Sequence, residues 1–433
     1  MPVFRMVFCL GMLTSGLVCG AAVAGWPGFR GPAPVELKAE SLPISWSPTE
    51  HILWSAELAG TGQSSPVIWE DHVYLTSVEG PNKEECHVLA IDLKSGKQLW
   101  QQTVANAFPI KISNMVSKAA PTAVTSAQGV IALFEGGNLL ACSHDGTELW
   151  ARNLVEEYGP VESRHGLSSS LLQSAGKVIV WIERGAEPYI LAINPETGEN
   201  IWKVEGLGVT SWSTPVVLQV DGKEHLVFSG SGVMRGIDPE TGAVLWNLSG
   251  LTGNSTPSPS AVGEGLLLTG ATEARGEGGS GRPADSNGLI RVSKDESGEY
   301  AASFVWRAKR ATSSFGSPIV HQGLAYFVNR AGIIFCLDLQ TGEEFYAERS
   351  PESCWATPLG VDDRIYFVGQ RGTTTVIKSG KSFEKLAENH LWEKKVEDGP
   401  PSMGEGQVQY AVAAVPGCLL IRTGEKVFCL GQP

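Results

Sequence analysis

The side chains able to do chemistry are thinly spread. Eight histidines, at 51, 72, 87, 144, 165, 225, 321 and 390, fall singly, several beside turns or strand ends where a solvated imidazole is the plain expectation. No His-Glu-x-x-His pair of metal ligands, Gly-x-Ser-x-Gly nucleophile elbow or phosphate-cradling P-loop is present. The Gly-rich run GEGGSGRP (276–283) opens no helix, so it reads as a lengthened hairpin loop rather than an anion site. Six cysteines follow residue 24: Cys86, Cys142, Cys336, Cys354, Cys418 and Cys429. Cys418 and Cys429 flank a turn centred on Thr423-Gly424, which sets them up to face each other across two strands. Cys336 and Cys429 also occupy a repeat position held elsewhere by Ala90, Ala192 and Gly236, where free cysteine serves as a small buried residue. Packing is the favoured reading of the two. No metal site and no cofactor site is expected from these patterns.

Composition narrows the class. Of 433 residues, 42% are hydrophobic and 18% charged, as in a globular chain with a sizeable core. The net charge of −13 and the lack of a basic run exclude the electrostatic footprint of a nucleic-acid binder. The first 24 residues, MPVFRMVFCLGMLTSGLVCGAAVA, have one cation, an apolar stretch and a closing Ala-x-Ala. They read as a cleavable secretory signal peptide. A soluble periplasmic or secreted protein is expected, with an N-terminal arm over 25–50, a repeat domain over 51–433 and no later membrane span.

The elements that position everything else come from repetition. AINPETGENIW (192–202) and GIDPETGAVLW (236–246) are nearly the same eleven residues, and AIDLKSGKQLW and CLDLQTGEEFY are further copies. Aligned on the closing aromatic, the units end at Trp54, Trp100, Trp150, Trp202, Trp246, Trp306, Tyr346 and Trp392. A second pattern, a small residue followed by Pro (SSPVI, AAPTAV, STPVVL, GSPIV, ATPLG), follows most of these aromatics at a short interval. Each unit thus holds four short β-rich runs, which is a propeller blade. The pattern predicts an eight-bladed β-propeller whose last blade takes three strands from the C-terminus and its fourth from 51–58. Small residues suit the crowded inner strand, and Pro costs little on a strand edge.

The motif Ala/Gly-x-Asp/Asn-x-x-Thr/Ser-Gly-x-x-x-Trp resembles the tryptophan-docking repeat of the pyrroloquinoline-quinone-type propellers, found in quinoprotein dehydrogenases and in BamB. The resemblance covers essentially the whole chain beyond residue 24. It implies the eight-bladed fold and either of two functional classes. The dehydrogenase members cover the quinone with a vicinal cysteine pair and hold Ca²⁺ with a Glu/Asn/Asp set. Here no two cysteines adjoin, and no acidic cluster follows the inner strands.

The reading is therefore a non-catalytic protein-interaction or scaffold module of the cell envelope, monomeric, with a protein partner. A quinone-dependent or other oxidoreductase and a carbohydrate- or small-ligand-binding propeller are the alternatives. Loops entering the inner strands are long and varied, whereas the PETG-type turns at the other end are short and repeated. Variation on a rigid scaffold points to function. Trp212, Trp355 and Phe315 are expected as apolar anchors at that mouth, with Arg164, His165 and Lys118 as polar contacts. The competing reading is that the three aromatics only plug the channel and pack on one another.

Overall fold

A computed structural model describes residues 25–32, 37–112, 116–163, 165–184, 186–209, 211–230, 232–272, 282–392 and 407–432. The leading segment read as a signal peptide lies outside them. Eight four-stranded antiparallel sheets follow one another along the chain. Blades 1 to 8 have their inner strands at Val67–Trp69, Val124–Ser126, Leu172–Ser174, Val216–Val220, Ser260–Gly263, Ile319–His321, Leu359–Val361 and Ala411–Val415. In blade 8 the outer strand is Ile52–Glu57, paired antiparallel with Lys426–Leu430, so the N-terminal strand closes the ring as the repeat count requires. Leu58 N–H to Glu425 O (2.8 Å) and Gly62 N–H to Gly424 O (2.8 Å) continue that seam. Closure leaves no open terminal blade edge to template aggregation. No helix among the described residues is long and apolar enough to cross a membrane.

The small-residue-plus-Pro pattern does more than fit a crowded axis. In blades 1 to 6 the residue two before the inner strand donates its backbone N–H to the hydroxyl at the same place in the next blade. Ser65 donates to Thr122 (2.9 Å), Thr122 to Ser170 (3.1 Å) and Ser170 to Thr214 (3.1 Å). Thr214 then donates to Ser258 (2.8 Å), Ser258 to Ser317 (3.0 Å) and Ser317 to Thr357 (3.1 Å). Seven blades are linked by one circumferential chain that satisfies edge amides otherwise left without partners. In blade 8 the position is Gln409, fully buried, whose side-chain amide finds no protein partner.

The turn aromatics lock neighbouring blades from outside. Trp54, Trp100, Trp150, Trp202 and Trp306 donate their indole N–H to the turn carbonyls of Leu93, His144, Pro195, Pro239 and Leu339 in the next blade, at 2.8–3.0 Å. The receiving turn is built by its first residue: Asp238 Oδ1 accepts from the N–H groups of Glu240 (2.7 Å) and Thr241 (3.0 Å). Its Gly is required twice, because Gly242 has φ +74° and a Cβ there would lie 3.1 Å from Trp202.

Two positions depart from the expected column. Trp392 does not belong to it: the register Val376↔Ala387 puts Ala387 there, and Trp392 follows the last strand of blade 7 and lies against Gly372. Trp246 is in the column, opposite Gly236, but donates to His225 Nδ1 of its own blade (3.1 Å).

The N-terminal arm fills two gaps. Residues 25–32 enter the channel on the inner strands' free edges. Trp26 pairs with Ile68 of blade 1, Pro27 O accepts from Thr125 N–H of blade 2 (2.9 Å), and Arg30 donates to Pro259 O (2.7 Å) and Ser260 Oγ (2.9 Å) of blade 5. The segment thus spans the channel between opposite blades, and burial pushes the Arg30 guanidinium down to about 10. Further along, buried Trp46 stacks on Tyr366 of blade 7 (6.4 Å) and donates its backbone N–H to Asn389 Oδ1 (3.1 Å). It supplies an aromatic where Ala387 does not.

Cys418 and Cys429 lie diagonally across adjacent strands of blade 8, Leu420 being the direct partner of Cys429, and form a disulfide. This corrects the packing reading. Cys429 does hold the small-residue column, opposite Trp54, but the adjacent strand brings Cys418 within bonding distance as well. Cys86, Cys142, Cys336 and Cys354 are free and buried.

Candidate functional site

Chain direction fixes which groups meet at each end of the channel. The loops entering the inner strands and the hairpins between second and third strands share the mouth end. The docking turns share the other end, where the arm lies.

At the mouth the expected residues form two arcs. On one side, Phe315 meets Trp355 edge-on (5.2 Å), Trp355 meets Tyr410 (6.0 Å), and the Arg330 guanidinium lies over Phe315 (5.4 Å). On the other, Trp212 packs against His165 (5.7 Å) and donates its indole N–H to Gly166 O (3.0 Å). Trp212, Phe315, Trp355, His165 and Lys118 are all half-buried, so each offers part of its surface outward. Phe315 and Trp355 pack on each other, while Trp212 packs on His165 in the opposite arc. Lys118 N–H donates to Gln63 Oε1 (2.9 Å), and burial, then neighbouring Lys83, holds its amine below the ordinary lysine range. Arg164 lies outside the described residues. Asn254, in the loop entering blade 5, turns inward: it is fully buried and bonds Gly232 N–H, Ser229 Oγ and Val233 O.

Beneath the Lys118 arc is a charged pair that sequence reading missed. Lys83 Nζ lies 2.9 Å from Glu135 Oε1 and donates to Ser117 O (2.9 Å), with both side chains almost wholly buried. Glu135 Oε1 also accepts from Ala119 N–H (3.1 Å), which anchors the chain entering blade 2. The two residues come from hairpins of different blades, so nothing in local sequence pairs them. Arg422 was missed for the same reason. It is fully buried and donates from blade 8 to Ser64 O (3.0 Å) and Thr76 O (2.6 Å) of blade 1. Desolvation pushes its guanidinium down to about 9.

The expectation of solvated histidines fails at two places. His87 and His225 are buried, the first on the third strand of blade 1, the second against Trp246. Burial holds His225 below its ordinary value.

The quinone that the fold family implies can be tested against these residues. Among the described residues the one disulfide joins Cys418 to Cys429 within blade 8 and is not a vicinal pair, and the central mouth offers an edge-on aromatic arc and Lys118. The only group of three close metal-ligand side chains found among the described residues is Glu79, Glu85 and His87, on blade 1. The residues at the mouth do not fit a Ca²⁺-quinone pair.

Comparisons with known proteins place the chain. Among solved structures, it is similar to BamB from Moraxella catarrhalis, with a TM-score of 0.57 at 14% identity over 88% of this chain and 99% of that one. It is similar to the quinohemoprotein alcohol dehydrogenase from Comamonas testosteroni, with a TM-score of 0.61 at 13% identity over 95% and 81%. The computationally designed Ika8 protein gives a TM-score of 0.57 at 13% identity over 88% and 99%. Identities this low establish the shared fold alone. No curated protein matches by sequence. The profile described as outer membrane protein assembly factor BamB matches residues 43–180 and 143–347, which is most of the chain. The eight four-stranded blades and that match over residues 43–347 show that the chain belongs to the BamB family of β-propellers.

Proposed function

We propose that this chain is an exported, non-catalytic propeller of the cell envelope that binds a protein partner at the mouth of its channel. The observation that carries the reading is the asymmetry of the two ends. The arm occupies the channel on the docking-turn side, with Trp26 and Arg30 pinned to opposite blades. The mouth keeps Trp212, Trp355 and Phe315 half-exposed beside Lys118 and His165. Aromatic side chains on a rigid rim are the residue types that dominate binding hot spots. Lys118 and His165 would favour a partner segment with carboxylates next to its apolar side chains. A relative described as an outer membrane protein assembly factor supports an assembly role in the envelope.

Photo-crosslinking tests this directly. A crosslinking residue at Trp212 or Trp355 should capture a defined envelope protein, and one at Glu196 or Glu240 on the turn face should not. Adducts from the turn face alone would put the partner on the wrong side. The oxidoreductase alternative rests on fold likeness to a quinohemoprotein dehydrogenase. Reconstitution with the quinone and Ca²⁺ followed by a dye-reduction assay decides it, since turnover above background would replace the binding reading.

A further inference from the structure

The second and third strands of blade 1 bring two carboxylates and an imidazole to one spot. Glu79 and Glu85 are direct cross-strand partners, and His87 follows Glu85 by two residues, so all three side chains leave the same face of the sheet. Like charges directly opposite each other on a sheet are destabilising. No lysine or arginine among the described residues forms an ion pair with either glutamate. Their shared neighbour is His87, with Nε2 3.2 Å from Glu79 Oε2 and 4.0 Å from Glu85 Oε2.

His87 is held for this. The residue is 1% exposed, while Glu79 and Glu85 are 58% and 59% exposed, so a fixed ring faces two adjustable carboxylates at the protein surface. Nδ1 lies 2.9 Å from Thr103 Oγ1, and Thr103 is its cross-strand partner on the last strand of the blade. A ring nitrogen engaged in this way orients the other nitrogen toward a metal. The three ligand atoms lie within 4.8 Å of one another. Ligands ~2.0–2.2 Å from a tetrahedral ion sit about 3.3–3.5 Å apart. The His87–Glu79 distance of 3.2 Å is just short of that and the His87–Glu85 distance of 4.0 Å beyond it, and both are adjusted by small rotations of the exposed glutamate side chains.

We propose that Glu79, Glu85 and His87 form a site for a first-row divalent cation of the Zn²⁺ class, completed by water. One imidazole with two carboxylates suits Zn²⁺ or Co²⁺ better than Ca²⁺, which takes six to eight oxygens. Three protein ligands leave a coordination position open to solvent. The site sits on the mouth face, and Glu79 also lines the groove between blade 8 and blade 1 with Glu57 and Glu425. This site is independent of the partner-binding reading.

The test uses the full chain without a histidine tag, stripped with a chelator. Calorimetry with ZnCl₂ should show saturable one-to-one binding, and Co²⁺ should develop visible ligand-field absorption. Thr103→Val should weaken Zn²⁺ toward the lower end of about 10- to 100-fold, because Gln101 Nε2, 3.3 Å from Nδ1, still holds the ring, and the double variant Glu79→Gln, Glu85→Gln should abolish the saturable phase. The double variant changes exposed side chains only, so unaltered circular dichroism will show that it folds. Absence of saturable Zn²⁺ binding by the wild-type chain overturns the proposal. So does binding that the folded double variant retains unchanged.

Discussion

Trp202 and Trp246 end almost identical eleven-residue stretches, yet the two side chains do different things. Trp202 reaches the next blade and donates to Pro239 O (3.0 Å). Trp246 folds back on its own blade, where Gly236 gives it room, and donates to His225 Nδ1 (3.1 Å). The two strands, NIWKVE and VLWNLS, share only the tryptophan, and the facing residue differs: Ala192 opposite Trp202, but Gly236 opposite Trp246, where a Cβ would collide with the indole. The receiving turn differs as well. In blade 4 the turn Asp238–Ala243 presents a carbonyl and a glycine in contact with Trp202, whereas Gly298 in the corresponding turn of blade 5 has nothing within 4 Å of its would-be Cβ. Docking is a property of the junction, and a motif read one blade at a time sees half of it.

The largest effects should come from aromatics that no turn can replace. Trp246 is 3% exposed and packs among residues of blades 4 and 5, so Trp246→Ala should cost about 3–5 kcal/mol in chemical denaturation. Trp202 is only half-buried, and its loss should cost about 2 kcal/mol. Equal costs would mean the two junctions are equivalent despite their geometry. Trp46→Ala tests the junction between blades 7 and 8, where the column holds Ala387. Loss of the buried arm tryptophan should cost about 3 kcal/mol there, and a near-neutral result would show that the arm merely rests on a wedge already filled.

The glycines of the two turns give a smaller and cleaner contrast. Gly242→Ala forces a side chain into φ +74° and into Trp202, whereas Gly298→Ala meets only the backbone penalty at φ +88°. The positive-φ penalty is on the order of 1–2 kcal/mol in both. Gly242→Ala should exceed Gly298→Ala, and the excess should shrink without vanishing in a Trp202→Ala background, because Val204 Cγ1 still lies 2.7 Å from the new Cβ.

Much of this architecture could be read from the chain because blade formation is local. Four strands, a turn and a small-plus-Pro strand start all lie within one repeat, so eight units and the closing strand at 52–57 could be counted from pattern alone. What crosses between repeats could not. The hydroxyl chain from Ser65 to Thr357 looked like mere smallness, because an acceptor's use depends on the amide of the preceding blade. Trp392 was misaligned because aromatic identity at the end of a unit stood in for a register that Ala387 holds. The rim residues were found by position, being those that lead into inner strands. Lys83–Glu135 and the Glu79–Glu85–His87 group were not, because single charged residues in separate strands carry no pattern until the sheet pairs them.

The least expected effect distinguishes the two tryptophans by pH. Trp202 donates to a carbonyl, which does not titrate over the physiological range. Trp246 donates to His225 Nδ1, so that nitrogen must be unprotonated, and burial depresses the His225 pKa below its ordinary value near 6.5. For a depressed group the unfolded chain binds the proton more readily. The stabilisation from His225 is therefore fully present above the unfolded value and is lost as pH falls from about 6.5 through the lower folded value. The tertiary partner adds a marker, since the His225 ring sits edge-on to Tyr300 at 4.5 Å and any charging disturbs that contact too. The expected result is an acid-side fall in melting temperature that is shallower in His225→Gln, an isosteric acceptor that does not titrate. In the wild-type chain the Trp246 indole N–H resonance should shift over the same range while that of Trp202 stays put. Parallel movement of both resonances, or an unchanged acid slope in His225→Gln, would show that the two junctions share one electrostatic environment and that His225 is a bystander.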